Sequence, residues 1–211
     1  MISFQPDPEI DKLLHKHQLL SDQVTKAEIE VILLSLRHVV AKQVPGCIVE
    51  FGCFAGTTSV FVQRWLQAHA PERQLHVYDS FAGLPDKLPE DDSPAGFAFK
   101  RGELIATKQQ FIQNCKKAHV PLPVIHKGWF ESIHHTDVPS PIALAFLDGD
   151  YFSSIQASLT LIQHKMSPGG VIIIDDYLST TLPGAKKATD QWLRQTGRDC
   201  SVREGMALIT I

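Results

Sequence analysis

The chain predicts an α/β fold: one doubly wound domain with a mostly parallel seven-stranded sheet and helices on both faces. Three observations carry that prediction. Beyond residue 45, short β-branched apolar runs alternate with longer stretches of helical periodicity, the pattern of βαβ units. Five of those runs are apolar enough to be read as strands buried on both faces. The last run, 200–211, reads instead as two short strands around a Glu204-Gly205 turn, so the sheet should finish in an antiparallel hairpin.

In chain order, residues 9–20 and 25–42 read as helices, the second with Ile29, Ile32, Leu33, Leu36, Val39 and Val40 on one side. They either cap the sheet or pair subunits, which would make a homo-oligomer, and they set an N-terminal helical cap at 1–43 before a main domain at 44–211. The first strand is expected at 47–51, followed by a helix over 57–70 with Val60, Phe61, Trp65 and Leu66 at helical spacing. A second strand covers 74–79. The stretch 85–102 holds Pro85, Pro89, Pro94, Gly96 and Gly102 without a period and reads as a long loop, either an active-site lid or surface decoration. Thr107 and Gln110 have capping-box spacing and open a helix containing Phe111 and Ile112. Strands at 123–127, 142–148 and 170–175 then alternate with helices over 152–165 and 183–195.

The composition is that of an ordinary globular domain: 211 residues, 44% hydrophobic and 20% charged, enough for a substantial core. A formal charge of −3, with both signs interspersed, leaves no Lys/Arg block to track phosphates and argues against nucleic acid as a partner. The first residues lack a signal-peptide pattern, and no apolar run approaches the roughly 20 residues that span a bilayer. A cytoplasmic protein without membrane contact is expected. Cys47, Cys53, Cys115 and Cys200 form no C-x-x-C pair, so reduced thiols are the simple reading.

The first expected strand ends in Glu50-Phe51-Gly52 and passes through Cys53, Phe54, Ala55 and Gly56 into Thr57-Thr58, an acidic, glycine-bearing turn that opens a helix. Without a Cβ, Gly52 and Gly56 let the backbone turn tightly and approach a ligand. A dinucleotide fingerprint would place a pyrophosphate there, and Glu50 would repel it. S-adenosylmethionine carries an ammonium and a sulfonium and no phosphate, so it suits the turn better than NAD; a plain helix-capping turn is the alternative.

Ligands of open α/β sheets bind outside the carboxyl ends of the strands, and here those ends are acidic: Glu50, Asp79, Asp148-Gly149-Asp150 and Asp175-Asp176. Asp79 is placed to accept hydrogen bonds from both ribose hydroxyls of a nucleoside, or to cap the turn that follows. Asp148, Asp175 and Asp176 should converge, because the fourth and fifth strands are expected to be neighbours. Unpaired they would repel, and a hard divalent cation, Mg²⁺ first with Ca²⁺ or Mn²⁺ as alternatives, resolves that repulsion. Helix caps are the competing role, and Asp150 is read as a cap or salt-bridge partner. Trp129 and Phe130, after Gly128, are placed to stack on adenine or to pack in the core. Phe81 and Leu84 have the same two options on the ribose side.

Taken in order, Val49-Glu50-Phe51-Gly52 with Gly56, the block from Asp79, Ser80 and Phe81 to Pro85, Lys127-Gly128-Trp129-Phe130, Leu147-Asp148-Gly149-Asp150-Tyr151, and Ser167-Pro168-Gly169-Gly170 leading to Asp175-Asp176-Tyr177 resemble the macrocin O-methyltransferase family. The resemblance runs from Val44 onward. It implies a Rossmann-like class I methyltransferase, S-adenosylmethionine held by Glu50, Gly52 and Asp79, Mg²⁺ held by Asp148, Asp175 and Asp176, and a sugar or other diol-bearing small molecule as acceptor. Catechol-type O-methyltransferases carry an Asp-Asn pair where this chain has Asp175-Asp176, which sides with the sugar-methylating group. The N-terminal region is shorter than the one that helps form the lid in antibiotic-tailoring members.

The chemistry expected is in-line transfer of the sulfonium methyl to an acceptor hydroxyl, with Asp148 first as proton acceptor and Tyr151 and His126 behind it. A metal-independent methyltransferase, an NAD-dependent oxidoreductase and a non-catalytic S-adenosylmethionine-binding module are the rival readings.

Overall fold

The computed structural model describes Ile2 and residues 4–95 and 99–211. Its strands are β1 (Cys47–Phe51), β2 (Leu75–Asp79), β3 (Val124–Lys127), β4 (Ile142–Leu147), β5 (Met166–Ile174), β6 (Ser201–Arg203) and β7 (Met206–Thr210). They form one sheet in the order β3-β2-β1-β4-β5-β7-β6. The first five are parallel; β7 pairs antiparallel with both β5 and β6. Glu204 and Gly205 both have positive φ, 46° and 81°, as a two-residue hairpin turn matched to strand twist requires. The strand order reverses at β1 and β4, and that reversal opens the crevice where a ligand fits.

Strand alternation divides the core into two layers. Ile48, Val77, Leu144, Val171 and Ile173 point to one face, where they pack with α1 (Pro8–Lys16), α2 (Lys26–Ala41), α3 (Thr57–His69) and α4 (Lys108–Lys117). Val49, Phe51, Ala145, Leu147, Ile172 and Ile174 point to the other, against α5 (Phe152–Ile162) and α6 (Pro183–Thr196). Ile29, Ile32, Leu33 and Leu36 of α2 are in the same core cluster as the strands, so this helix is a full layer member. Thr25 and Glu28 cap α2 reciprocally, as Thr107 and Gln110 cap α4.

Three expectations are corrected. The third strand is not buried on both faces: β3 lies at the sheet edge, and Val124 is 41% exposed. The first helix stops at Lys16 rather than at residue 20; beyond it Leu19 packs on the core and Leu20 faces solvent. The fifth strand begins at Met166, before a register shift against β4, because Pro168 has no N–H to donate and Gly169 turns at φ 79°.

The loop expected over 85–102 is long, with one 3-10 turn, at Pro89–Asp91, among its described residues; its Gly96 falls outside them. Among the described residues, no helix is long and apolar enough to cross a membrane.

Candidate active site

A cavity of about 240 Å³ opens at the carboxyl ends of β1, β2, β4 and β5. Acidic side chains dominate its wall: Asp22, Glu28, Asp79, Asp148, Asp150, Asp175 and Asp176. No lysine, arginine or histidine is among the described residues lining it. Such a wall selects for positive charge.

On the β1 side the cavity is shaped by backbone. Gly52 has φ 87°, and a Cβ on it would lie 1.8 Å from the Asp148 carbonyl oxygen. A side chain there is excluded twice, by dihedral and by contact. Asp79 holds the turn from the neighbouring strand: one carboxylate oxygen accepts from the N–H groups of Cys53 (2.9 Å) and Phe54 (3.1 Å), the other from Phe81 N–H at 2.7 Å. A carboxylate offers about four acceptor sites, so three bonds leave capacity for one more donor. Asp79 is therefore a turn organiser that still faces the cavity. Ser80 also lines the wall, its hydroxyl accepting from Ala82 N–H at 3.0 Å.

Glu50, Gly56, Thr57, Thr58, Phe81 and Gly128, also expected at the cofactor, are not among the residues lining this cavity. Alternation along β1 turns Glu50 toward α3, where Ser59 donates its hydroxyl to the carboxylate; Glu50 is 2% exposed and does not line the cavity. Burial pushes its pKa up to about 8. Gly56 precedes α3 and packs against the Phe111 ring. Thr57 and Thr58 are buried in the first turn of α3, and the Thr57 hydroxyl meets that of Ser21 at 3.1 Å. Phe81 is buried, with its ring edge-on to that of Phe111 at 6.0 Å between centroids. Gly128 donates its N–H to the Asp79 carbonyl at 2.9 Å, while Trp129, 38% exposed, and Phe130 line the cavity. Phe130 also meets Phe51 edge-on at 5.3 Å between centroids.

On the β4/β5 side the cavity is shaped by charge. Carboxylate oxygens of Asp148, Asp150 and Asp176 all lie within 4.8 Å of one another. The expected trio contained Asp175 in place of Asp150. Two left-handed residues account for the difference: Asp150 (φ 61°) and Asp176 (φ 56°) turn their backbones so that their side chains meet. The Asp175 side chain instead accepts from the following N–H, that of Asp176, at 3.0 Å. Burial, with Asp175 and Asp150 adding repulsion, drives the Asp148 carboxyl well above the carboxylate range. Burial first and Asp175 second push Asp150 up to about 7; burial and Asp176 push Asp175 up to about 8; burial and Asp150 push Asp176 up to about 7. Crowded oxygen donors that cannot all ionise together fit a hard divalent cation.

Two expected proton acceptors lie elsewhere. The Tyr151 hydroxyl donates to the Phe99 carbonyl at 2.8 Å, and the ring is fully buried. His126 stacks on Tyr78 at 4.4 Å and shares a 3.2 Å contact with His76, away from the cavity wall. The sequence reading missed Asp22, Gln23 and Glu28, which reach the wall from the lead-in and first turn of α2. The capping box at Thr25 was the one local signal there. Leu84 was paired with Phe81, but Leu84 does line the cavity, as does Leu182 of the same apolar cluster.

An open sheet of this order, closed by an antiparallel hairpin and with its polar groups gathered at the carboxyl ends of the central strands, is the class I methyltransferase fold. The chain belongs to the macrocin-O-methyltransferase (TylF) family, whose model matches residues 21–204. A demethyldecarbamoylnovobiocin O-methyltransferase of Streptomyces niveus is 29% identical over 172 residues, covering 78% of this chain and 64% of that one. A tetracenomycin-type rhamnosyl 4'-O-methyltransferase of Streptomyces olivaceus is 31% identical over 145 residues, 66% of this chain and 56% of that one. The chain thus spans 64% and 56% of the length of these two relatives. The solved structure of the O-methyltransferase NovP superposes with a TM-score of 0.77 at 24% identity, covering 89% of this chain and 80% of that one. That likeness bears on the fold.

Proposed function

We propose that the chain is an S-adenosylmethionine-dependent O-methyltransferase that uses Mg²⁺ and acts on a hydroxyl of a small molecule, a sugar moiety or another diol-bearing natural product. One observation carries the reading: Asp148 joins the two sides of the cavity, its carbonyl against Gly52 and its carboxylate in the trio with Asp150 and Asp176. Family membership supports the reaction class, and the demethyldecarbamoylnovobiocin and rhamnosyl-tetracenomycin acceptors in the relatives' names support the acceptor class.

When bound, S-adenosylmethionine supplies an electrophilic methyl, and a divalent cation supplies charge that lowers the pKa of a nearby hydroxyl. The residues present fit both groups. Gly52 lines the cavity with bare backbone, Asp79 lines it and retains an acceptor site, and Trp129 lines the same cavity. Asp148, Asp150 and Asp176 supply hard oxygen donors for the cation, with Asp175 beside them. Leu84, Leu182 and Phe130 keep one wall apolar and displace water. Asp148 takes the acceptor's proton, because it alone touches both the cofactor turn and the acidic trio.

Calorimetry with S-adenosylhomocysteine and Mg²⁺, followed by a screen of diol-bearing metabolites for methyl transfer, tests the reading. Binding of NAD but not S-adenosylhomocysteine would defeat it. Full turnover in the presence of a chelator would replace it with a metal-independent methyltransferase. Asp148→Asn should lower turnover by about 10²–10⁴-fold with cofactor affinity kept.

A further inference from the structure

Asp91 is a buried carboxylate outside every motif named above. It closes the 3-10 turn Pro89–Asp91 in the loop after β2, and it is 1% exposed. One of its oxygens accepts from the Phe152 N–H at 2.7 Å and the other from the Leu88 N–H at 2.9 Å. Phe152 is the first residue of α5, and the N-cap residue, Tyr151, gives that helix no side-chain cap. Asp91 supplies the missing acceptor from a distant part of the chain. The start of α6 is built around the same carboxylate: a Cβ on Gly184 would lie 1.8 Å from the Asp91 oxygen and 2.6 Å from Phe152 N. Two further bonds tie the same pieces together, Tyr151 hydroxyl to Phe99 carbonyl at 2.8 Å and Ser93 hydroxyl to Thr180 carbonyl at 2.6 Å.

Three parts of the cavity wall therefore meet at one side chain. The loop brings Leu84 and Pro85, the segment before α5 brings Asp148 and Asp150, and the segment before α6 brings Thr181 and Leu182. Asp150 sits two residues before Phe152 in a left-handed conformation, φ 61°, and the bond from the Phe152 N–H to Asp91 anchors the backbone just beyond it. We infer that Asp91 is a positioning residue that fixes Asp150 relative to Asp148 and Asp176 and so sets the cation affinity of the trio. The inference rests on reading that trio as a cation site. It leaves the Gly52 turn and Asp79 independent of Asp91.

The test uses the full chain with Asp91→Ala and with the isosteric Asp91→Asn, which keeps one of the two bonds and carries the experiment if the alanine variant does not fold. Peptide-level hydrogen exchange should rise together over 85–95, 150–155 and 181–186 and stay unchanged over 50–58. In calorimetry, Mg²⁺ affinity should fall by about tenfold or more in Asp91→Ala, less in Asp91→Asn, with S-adenosylhomocysteine affinity within about twofold of wild type. Faster exchange confined to 85–95, or equal losses of Mg²⁺ and S-adenosylhomocysteine affinity, would overturn the inference. A wild-type protein that binds neither ligand would defeat the proposed function instead, and the exchange pattern would then decide the role of Asp91 by itself.

Discussion

The two sides of the cavity are both rich in acid but hold it differently. On the β1/β2 side the carboxylates are already engaged: Asp79 accepts three backbone N–H groups and Glu50 accepts the Ser59 hydroxyl. On the β4/β5 side Asp148, Asp150 and Asp176 face one another within 4.8 Å, and burial first, with repulsion from neighbouring carboxylates including Asp175 second, raises their pKa values. The first side is a finished mould whose acids hold the backbone in shape. The second crowds carboxylates against one another, the arrangement on which the proposed cation site rests. The same residue type thus serves as internal scaffold in one place and stands as a crowded carboxylate cluster in the other, and the partners of each oxygen tell the two apart.

Substitutions can break this contrast, and the largest effect is expected at Gly52. Gly52→Ala would force a Cβ to 1.8 Å from the Asp148 carbonyl at φ 87°, costing about 4 kcal/mol or the fold itself. Urea unfolding measures the loss, and near-wild-type stability would show that the turn is not a rigid mould.

Next is Asp79→Ala. It leaves three N–H donors to find water or go unpaired, for a loss of about 2–3 kcal/mol. A variant as stable as the parent would mean that the turn holds itself.

Glu50 should show as a pH effect. Its pKa is raised in the folded state from 4.5 to about 8, so folding takes up a proton in that window. The stability that depends on the protonated carboxyl is present below 4.5 and is lost as pH rises toward 8. Glu50→Gln should flatten the thermal-denaturation profile across the window. An unchanged slope would assign the pH dependence to other groups.

The smallest effect carries the opposite sign. Asp176→Asn in protein stripped of divalent cations should raise stability by about 1 kcal/mol, because it removes repulsion from a half-buried group. A drop in thermal midpoint would place Asp176 with the scaffold acids.

Much of the fold was legible because strands buried on both faces leave long apolar runs, and helices under a sheet repeat at 3.6 residues. Runs such as Ile142–Leu147 are short enough to favour a buried strand over a helix, and the Glu204-Gly205 turn announces its hairpin. The errors fall where a local pattern lacks its neighbour: β3 looked like the other strands and proved to be the edge. At the site, the acids at the strand ends were legible as a set, but their division of labour was not. Asp150 was read as a cap, and Asp91 drew no notice in a loop rich in proline and charge.

The sequence by itself determined the doubly wound sheet, the glycine turn, and the gathering of acids at one end of the strands, because periodicity and strand order along the chain are local properties. Only the tertiary structure decided which acids meet which. A carboxylate's role depends on the donors and charges within a few ångströms of it. For Glu50, Asp79, Asp91 and Asp150 those come from segments far away in the chain: α3, the β1 turn, the starts of α5 and α6, and β5.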